Sequence, residues 1–568
     1  MSAEKEKKDL AAESNSSEDN ANLPPYNSNE EFYDDGVEVS KWTRMGITPD
    51  SFKRRTLADK HNQLNKTLKS RHLHMIAIGG SIGAGFFVGS GSALRTGGPA
   101  SLLICFAIIG IMMFNVVYAL GELALMFPVS GGFYTYSARF IDPSWGFAMG
   151  WNYVIQWAVV LPLELTVAGL TIGYWGPNVN IAVWITIFLI IIVLVNVFGV
   201  LGYAEEEFWV ALLKLVTVIV FMFMGVIFAC GGGSKSGQYG EYWGARLWYE
   251  PGAFNNGFLG FCGVFVTAAF AFSGTELVGL AAAETADPQK SLPGAVKQVF
   301  WRITLFYILG LFFVGLLVAD NDPRLLGAGL SDSSASPFVI VSVNAGIPGF
   351  GDFINVVILF AVVSIGLSGV YGGSRTLTAL AEQGYAPRIF KYVDRAGRPL
   401  WSTIAVILCG GIAYVALASS ATEVFDWLQA LSGLAALFTW GSICLSHIRF
   451  RSAWKHNGHT LDEIPFQAAF GVYGSWLGLI LVVIVLIAQL YTAIAPLDVA
   501  AFFQAYLAFF VVILFYLFAV VWKRRSWIPI SAIDVDSGRR EIDWEIFEAE
   551  KVKRQSWPSW RRMLSKMF

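Results

Sequence analysis

MIAIGGSIGAGFFVGSGSAL, residues 75–94, is apolar enough to cross a bilayer, yet it holds Gly79, Gly80, Gly83, Gly85, Gly89 and Gly91. Glycine lacks a Cβ and reaches conformations that other residues avoid, so a helix rich in it is interrupted at little cost. In hydrocarbon a broken helix bares N–H and C=O groups, which is tolerable only where they line a cavity. A glycine-rich break inside a spanning segment therefore points to a transporter binding site. The same pattern also suits close packing of straight helices, because Gly79 and Gly83, like Gly85 and Gly89, are four residues apart.

A later segment separates the two readings. Residues 257–283 read GFLGFCGVFVTAAFAFSGTELVGLAAA, where Ser273, Gly274 and Thr275 meet Glu276 near mid-span. The first break falls in the first span and this one in the sixth. A separation of five spans is what an inverted repeat of five plus five helices gives. Two matched breaks favour a substrate site between the repeats over simple packing.

Composition sets the frame. The chain has 568 residues, 55% hydrophobic and 14% charged, against about 25% charged in soluble domains. Its mean hydropathy is +0.54. This is an all-α polytopic membrane protein. A net charge of −2 offers nothing to nucleic acid. Cys105, Cys230, Cys262, Cys409 and Cys444 are scattered without paired spacing, so neither a disulfide framework nor a metal site is expected. The first seventy residues are polar and show no cleavable signal, which leaves targeting to the first span.

Residues 1–70 read as a largely disordered cytosolic tail. Twelve spans are expected, near 73–94, 99–126, 146–173, 181–201, 207–230, 257–283, 300–319, 350–380, 401–418, 424–447, 472–494 and 500–522. They group into a first repeat over 71–230, a second over 257–447, two extra helices over 472–522, and a cytosolic C-terminal tail over 523–568. With the N-terminus inside, cytosolic loops carry about eleven Lys or Arg and external loops about four, which supports cytosolic termini. In the tail, Trp544, Phe547, Trp557, Trp560 and Met563 are spaced among charges, as in an amphipathic helix at the membrane surface.

Longer motifs bring a resemblance. GGSIGAGFFVGSG at 79–91 and GELALMFPVSGGFYTYSARFIDPSWGFAMGWNY at 121–153 resemble the fungal general amino-acid permeases of the amino acid/polyamine/organocation transporter superfamily. So do GTELVGLAAAETADPQKSLPGAVKQVFWRITLFY at 274–307, SRTLTALAEQGYAP at 374–387 and ALSGLAALFTWGSICLSHIRFR at 430–451. The resemblance runs from about residue 50 to the C-terminal tail. It implies a LeuT-like fold and proton-driven uptake of amino acids across the plasma membrane, with no cofactor beyond the coupling proton.

A free amino acid presents a carboxylate and an ammonium group. Bare N–H groups at a half-helix start suit the carboxylate, which assigns Ser81, Ile82, Gly83, Ala84 and Gly85 to it. Bare carbonyls at the end of a half-helix suit the ammonium, which places Phe270, Ala271, Phe272 and Ser273 beside the substrate. A site that reads the shared backbone fits broad specificity. The family commonly has Thr where this chain has Ala84, which removes a hydroxyl from the carboxylate site. Phe272 is the expected gate, and Thr439 a further pocket residue. Leu367 stands where relatives often have Asn, which leaves Ser364 and Ser368 as the polar groups of that span.

An ion near the bilayer centre costs about 2.5–3.5 kcal/mol on insertion scales, so each one needs a reason. Lys214 lies within the fifth span. In proton-coupled relatives a lysine at the matching place contacts the first break, which makes Lys214 the expected coupling residue. The bland alternative is a permanent ion pair with a buried acid, or snorkelling past Glu205, Glu206 and Glu207. Glu164 and Glu276 are the other intramembrane charges expected to pair with it or bind protons. Glu122 reads as a structural partner. Lys5, Lys7 and Lys8 offer acceptors to ubiquitin-ligase machinery at the cytosolic tail.

Two other readings stay open at this point. One is an amino-acid-sensing receptor that uses the same pocket, and the other a sodium-coupled symporter or an exchanger for a narrower set of amino acids. An enzyme finds no support, since no zinc motif, nucleophile elbow or phosphate loop stands outside a span.

Overall fold

The computed structural model describes residues 41–44, 46–54, 68–127, 132–176, 178–285, 287–325, 336–418, 421–495, 497–523, 527–540 and 556–558. Among them regular structure is helical, and extended pairing is limited to isolated contacts such as Arg54 with Asp394 and Leu68 with Thr285. The first half of the chain forms α1 (Ser70–Gly79), α2 (Ser90–Met126), α3 (Phe133–Phe140), α4 (Pro143–Gly173), α5 (Ile181–Val197) and α6 (Gly199–Ala229). Next come α7 (Gly257–Phe272), α8 (Leu277–Ala281), α9 (Pro288–Arg302), α10 (Leu311–Leu317) and α11 (Pro337–Asn344). The chain ends with α12 (Phe350–Glu382), α13 (Leu400–Cys409), α14 (Ala421–His456), α15 (Gly471–Ile494) and α16 (Val499–Lys523).

Among the described residues ten helical runs are long and apolar enough to cross a membrane, and α5, at 17 residues, is a shorter apolar helix. The run Gly85–Met126 has 42 residues, against about 20 needed for a crossing. Gly98, at φ 79° and ψ 172°, turns the chain within it, and Pro99 follows. Proline offers no N–H and pushes its predecessor away from helical geometry, so this pair is where such a run can bend. Helix starts are capped where the sequence allows. Asp142 accepts from the Ser144 N–H at 2.8 Å ahead of Pro143, and Asn180 accepts from Ala182 at 2.9 Å.

Helices α4, α12 and α14 are buried along most of their length and form the centre of the bundle. The outer helices α15 and α16 expose Ile487, Leu514 and Val521. An apolar belt of this kind is suited to lipid. Two starts depart from expectation. Helix α6 begins at Gly199 rather than near 207, and α9 begins at Pro288 rather than near 300. Glu207 and Arg302 are thereby drawn into the helical interior, where both are buried.

Within the segment expected to be largely disordered, residues 41–44 and 46–54 are described, and 46–52 contact the bundle. Arg398 is buried and paired with Asp394 at 2.6 Å, and its remaining donors need acceptors. Residues 46–51 supply them, through the Gly46 carbonyl at 3.3 Å and Ser51 Oγ at 3.1 Å. Asp50 adds an ion pair to Arg395 at 2.5 Å, and the Tyr392 hydroxyl donates to the Phe52 carbonyl at 2.6 Å. On the same end of the bundle, residues 527–540 lie across α3 and the end of α14. Arg139 donates to the Asp534 and Ser537 carbonyls at 2.8 and 2.6 Å, and the Arg540 N–H donates to Met126 at 2.9 Å. The amphipathic helix expected over 544–568 lies, apart from residues 556–558, outside the described residues, as do Lys5, Lys7 and Lys8.

Candidate functional site between two interrupted helices

Both glycine-rich spans are interrupted. Helix α1 ends at Gly79, and helical structure resumes at Gly85 in a short π turn leading into α2. Helix α7 ends at Phe272, and α8 begins at Leu277. Gly274 carries the turn at φ 97°, a conformation that favours glycine. A side chain there would also strike the Gly80 carbonyl and approach Trp157 to 3.3 Å. The two breaks thus meet face to face at Gly80 and Gly274. Gly85 lies against the Ala271 backbone, where an added Cβ would come within 2.6 Å of the Ala271 Cα.

Backbone accounting shows what the breaks leave open. Across the first, the Gly80 N–H donates to Ile76, Ile82 to Gly79, and Phe86 and Phe87 to Gly83. Among the described residues, the Ser81 and Gly83 N–H groups have no backbone acceptor, and the Ala84 N–H donates to the Glu164 carboxylate. Across the second, the Ser273 N–H donates to Ala269 and Phe270, and Thr275 donates to Phe272 through both its N–H and its hydroxyl. Ala271 accepts from the Tyr307 hydroxyl at 2.6 Å. The carbonyls of Phe270, Ala271 and Phe272 were expected to be bare, but Phe270 and Ala271 each already have one donor and Phe272 has two. A carbonyl oxygen has a second lone pair, so those of Phe270 and Ala271 can accept again.

Two buried cations cap the end of α1. Lys214 donates to the Gly79 carbonyl at 3.2 Å and lies 3.7 Å from Glu207, with both side chains fully buried. Arg302 donates to the Ala77 carbonyl at 2.5 Å and also to the Thr275 hydroxyl, so it ties the first break to the second. A helix C-terminus carries about half a negative charge, which these cations complement in place of water. Glu207, rather than Glu164 or Glu276, is the acid in direct contact with Lys214.

The remaining expected residues are placed as follows. Glu276 accepts from the Gly274 N–H at 3.2 Å and from the Trp440 indole at 3.3 Å, so it braces the second break. The Ser273 hydroxyl accepts from Gln156 at 2.8 Å. Ser81 Oγ lies 3.0 Å from the Tyr307 oxygen, and Ile82 is fully buried. Phe272 is stacked on Tyr307, with centroids 4.1 Å apart at 19°, and is wholly enclosed. Thr439 sits one position from the Glu276 contact, and its own hydroxyl accepts from Asn152 at 3.3 Å. Glu122 lies elsewhere, in a structural cluster with Arg451 at 2.6 Å and His447 at 3.0 Å.

Arg302, Tyr307, Gln156 and Glu207 belong to this site and were not anticipated. Arg302 and Glu207 had been placed at the edges of their spans, where a charge needs no partner. The signal available was helix length. Counting α9 back to its Asp287–Pro288 start puts Arg302 in the middle of a 30-residue run. Tyr307 is one aromatic among many in the spans, and nothing in spacing marks it.

The two breaks thus set N–H groups of Ser81 and Gly83 without a backbone acceptor beside the carbonyls of Phe270 and Ala271, with Lys214 and Arg302 on the carbonyls at the end of α1. The sequence profile described as "Amino acid permease" matches residues 72–530. Amino-acid permease inda1 of Hypocrea atroviridis is 62% identical over 539 residues, covering 94% of each chain. General amino-acid permease GAP2 of Candida albicans is 49% identical over 555 residues, covering 95% of this chain and 94% of its own. General amino-acid permease GAP1 of Saccharomyces cerevisiae is 50% identical over 516 residues, covering 88% and 85%. The matched region takes in both interrupted helices and all of the buried charges that surround them, and the chain belongs to the amino acid permease family, as a multi-pass membrane transporter of amino acids and not an enzyme.

Proposed function

We propose that the chain is a proton-coupled symporter of broad specificity that imports amino acids across the plasma membrane by alternating access. The supporting observation is the pair of breaks meeting at Gly80 and Gly274, with Lys214 on the Gly79 carbonyl. Dividing Gly85–Met126 at Gly98 and adding α5 brings the ten long runs to twelve crossings. We read these as a LeuT-like five-plus-five inverted repeat followed by two helices, with both termini cytosolic. In this reading the substrate carboxylate binds the N–H groups of Ser81 to Gly85, and the ammonium binds the carbonyls of Phe270 to Ser273. Phe272 gates the site, Thr439 borders it, and Lys214 carries the coupling proton with Glu164 and Glu276 as acidic neighbours. Protons are the only cofactor, and the N-terminal lysines serve ubiquitin-dependent removal from the membrane.

The test is uptake of labelled amino acids into vesicles holding the purified chain, under an imposed pH gradient, with and without sodium. Accumulation driven by the pH gradient alone, and competed by most of the other nineteen amino acids, is expected. Accumulation that requires sodium or an internal substrate rejects the proton-coupled reading.

A further inference from the structure

The proposed function accounts for Lys214 but not for the acids behind it. Glu207 Oε1 lies 3.7 Å from Lys214 Nζ, and Glu207 Oε2 accepts from the Ser364 hydroxyl at 2.6 Å. The same hydroxyl lies 3.3 Å from Glu206 Oε2. Lys214, Glu207 and Ser364 are fully buried, whereas Glu206 keeps partial exposure. The line therefore runs from the first break to a side chain that protein does not fully enclose. It leaves toward the end of the bundle where α6 begins and where residues 41–54 dock.

Charge counting supports a mobile proton here. Three carboxyl groups, Glu164, Glu206 and Glu207, lie around the ammonium of Lys214, with the Arg302 guanidinium on the neighbouring Ala77 carbonyl. Acids outnumber cations here, and buried charge without a partner is costly, so this cluster is a place where a proton can be held. The groups facing Lys214 and Glu207 come from every packed element. They are the Gly79 carbonyl of α1, Glu164 of α4, Tyr203 and Glu206 of α6, Ser364 of α12, and Arg302 of α9 on the adjacent Ala77 carbonyl.

Resting on the proton-coupled reading, we propose that Glu207, Ser364 and Glu206 form the path by which the coupling proton leaves Lys214 for water. The Lys214 ammonium gives a proton to the Glu207 carboxylate, leaving a neutral amine and a carboxylic acid. Glu207 passes that proton to the Ser364 oxygen as the Ser364 hydrogen moves to the Glu206 carboxylate. Glu206 then releases it to water. One proton moves from lysine to solvent, every intermediate group returns to its starting form, and no other reactant is needed. Glu207 and Ser364 act through Lys214 and are relay residues, not substrate contacts.

The experiment uses the full chain in vesicles and compares two rates. One is accumulation of labelled amino acid under an imposed pH gradient. The other is exchange of labelled for unlabelled amino acid at equal pH, which requires the site to move but not the proton to leave. For Glu207→Gln and Ser364→Ala the ratio of accumulation to exchange is expected to fall at least tenfold. Ser364→Thr keeps a hydroxyl and is expected to restore it to within about threefold. A ratio unchanged in Glu207→Gln, or an equal loss in Ser364→Ala and Ser364→Thr, overturns the relay. If Glu207→Gln does not reach the membrane, the two serine variants decide alone. Loss of pH-driven accumulation in the unaltered chain is a different failure, which removes the symport reading and the relay together.

Discussion

The Tyr307 hydroxyl donates to the Ala271 carbonyl at 2.6 Å and lies 3.0 Å from Ser81 Oγ, so one phenol spans both breaks. Its ring is also stacked on Phe272. A net hydrogen bond of this kind contributes about 1 kcal/mol, a factor of about five in an equilibrium constant. Tyr307→Phe keeps the stack and removes the bridge, leaving Ala271 and Ser81 free to separate. The KM for uptake should rise about fivefold with little change in the amount of protein in the membrane, as read from the concentration dependence of initial rates. An unchanged KM would show that the bridge does not set the spacing of the two breaks.

Gly83 has room for nothing larger. An added Cβ would press on Ile365, with Ile365 Cβ at 3.2 Å and Glu164 Oε1 at 3.4 Å. Its N–H is one of those left open for a carboxylate. Gly83→Val should abolish saturable binding, because the side chain fills the space in front of that N–H and moves Glu164. Ligand-induced thermal stabilisation of the purified variant measures this without needing transport, and unaltered stabilisation by amino acid would count against the geometry.

The positions of the two breaks were legible in sequence because glycine clusters leave a compositional mark that packing does not erase. The ten long apolar runs of the described residues were legible for a similar reason, since hydrocarbon thickness fixes their length. Partner choice was not. Whether Lys214 meets Glu207, Glu164 or Glu276 depends on helix rotation, and a shift of the α6 start from 207 to Gly199 was enough to conceal Glu207. Tyr307 and Gln156 are long-range contacts, 226 residues from Ser81 and 117 from Ser273, and no local pattern encodes them. The docking of residues 41–54 was hidden in the same way, because its cause is the buried Arg398 far along the chain.

Lys214 and Arg302 cap the same helix end but should fail differently when replaced. Lys214 is the residue proposed to exchange the coupling proton, whereas an arginine guanidinium stays charged under all ordinary conditions. Lys214→Met is expected to abolish or uncouple pH-driven accumulation in a protein that still folds, and normal accumulation would refute its role. Arg302 instead holds Ala77 and Thr275 together through charged hydrogen bonds, each contributing about 1.5–3 kcal/mol. Arg302→Met should therefore lower kcat/KM for uptake at least tenfold, while Arg302→Lys, which keeps charge and one donor direction, recovers part of it. Equal activity in the methionine and lysine variants would show that charge at this position is dispensable.

Asp534 gives the docked C-terminal segment a defined pH response. Its carboxylate is held at a pKa of about 2, chiefly by hydrogen bonds from Ser537, with help from the Asp536 N–H and Arg139. The Ser537 and Asp536 N–H groups donate to it at 3.0 and 2.9 Å. A carboxyl whose pKa is depressed on docking, from its ordinary value of 3.8, stabilises the docked form fully above that value. The contribution is lost only as pH falls from about 4 toward 2, because protonation then removes the acceptor. The Asp534 contribution should thus be indifferent to pH between 8 and 5. Spin labels at Ile530 and Arg388, both exposed, would report docking as a single narrow distance over that range. The distribution should broaden below about pH 4, and Asp534→Asn should broaden it already at pH 7. A distance that changes between pH 7 and pH 5 would assign the control of docking to a group other than Asp534.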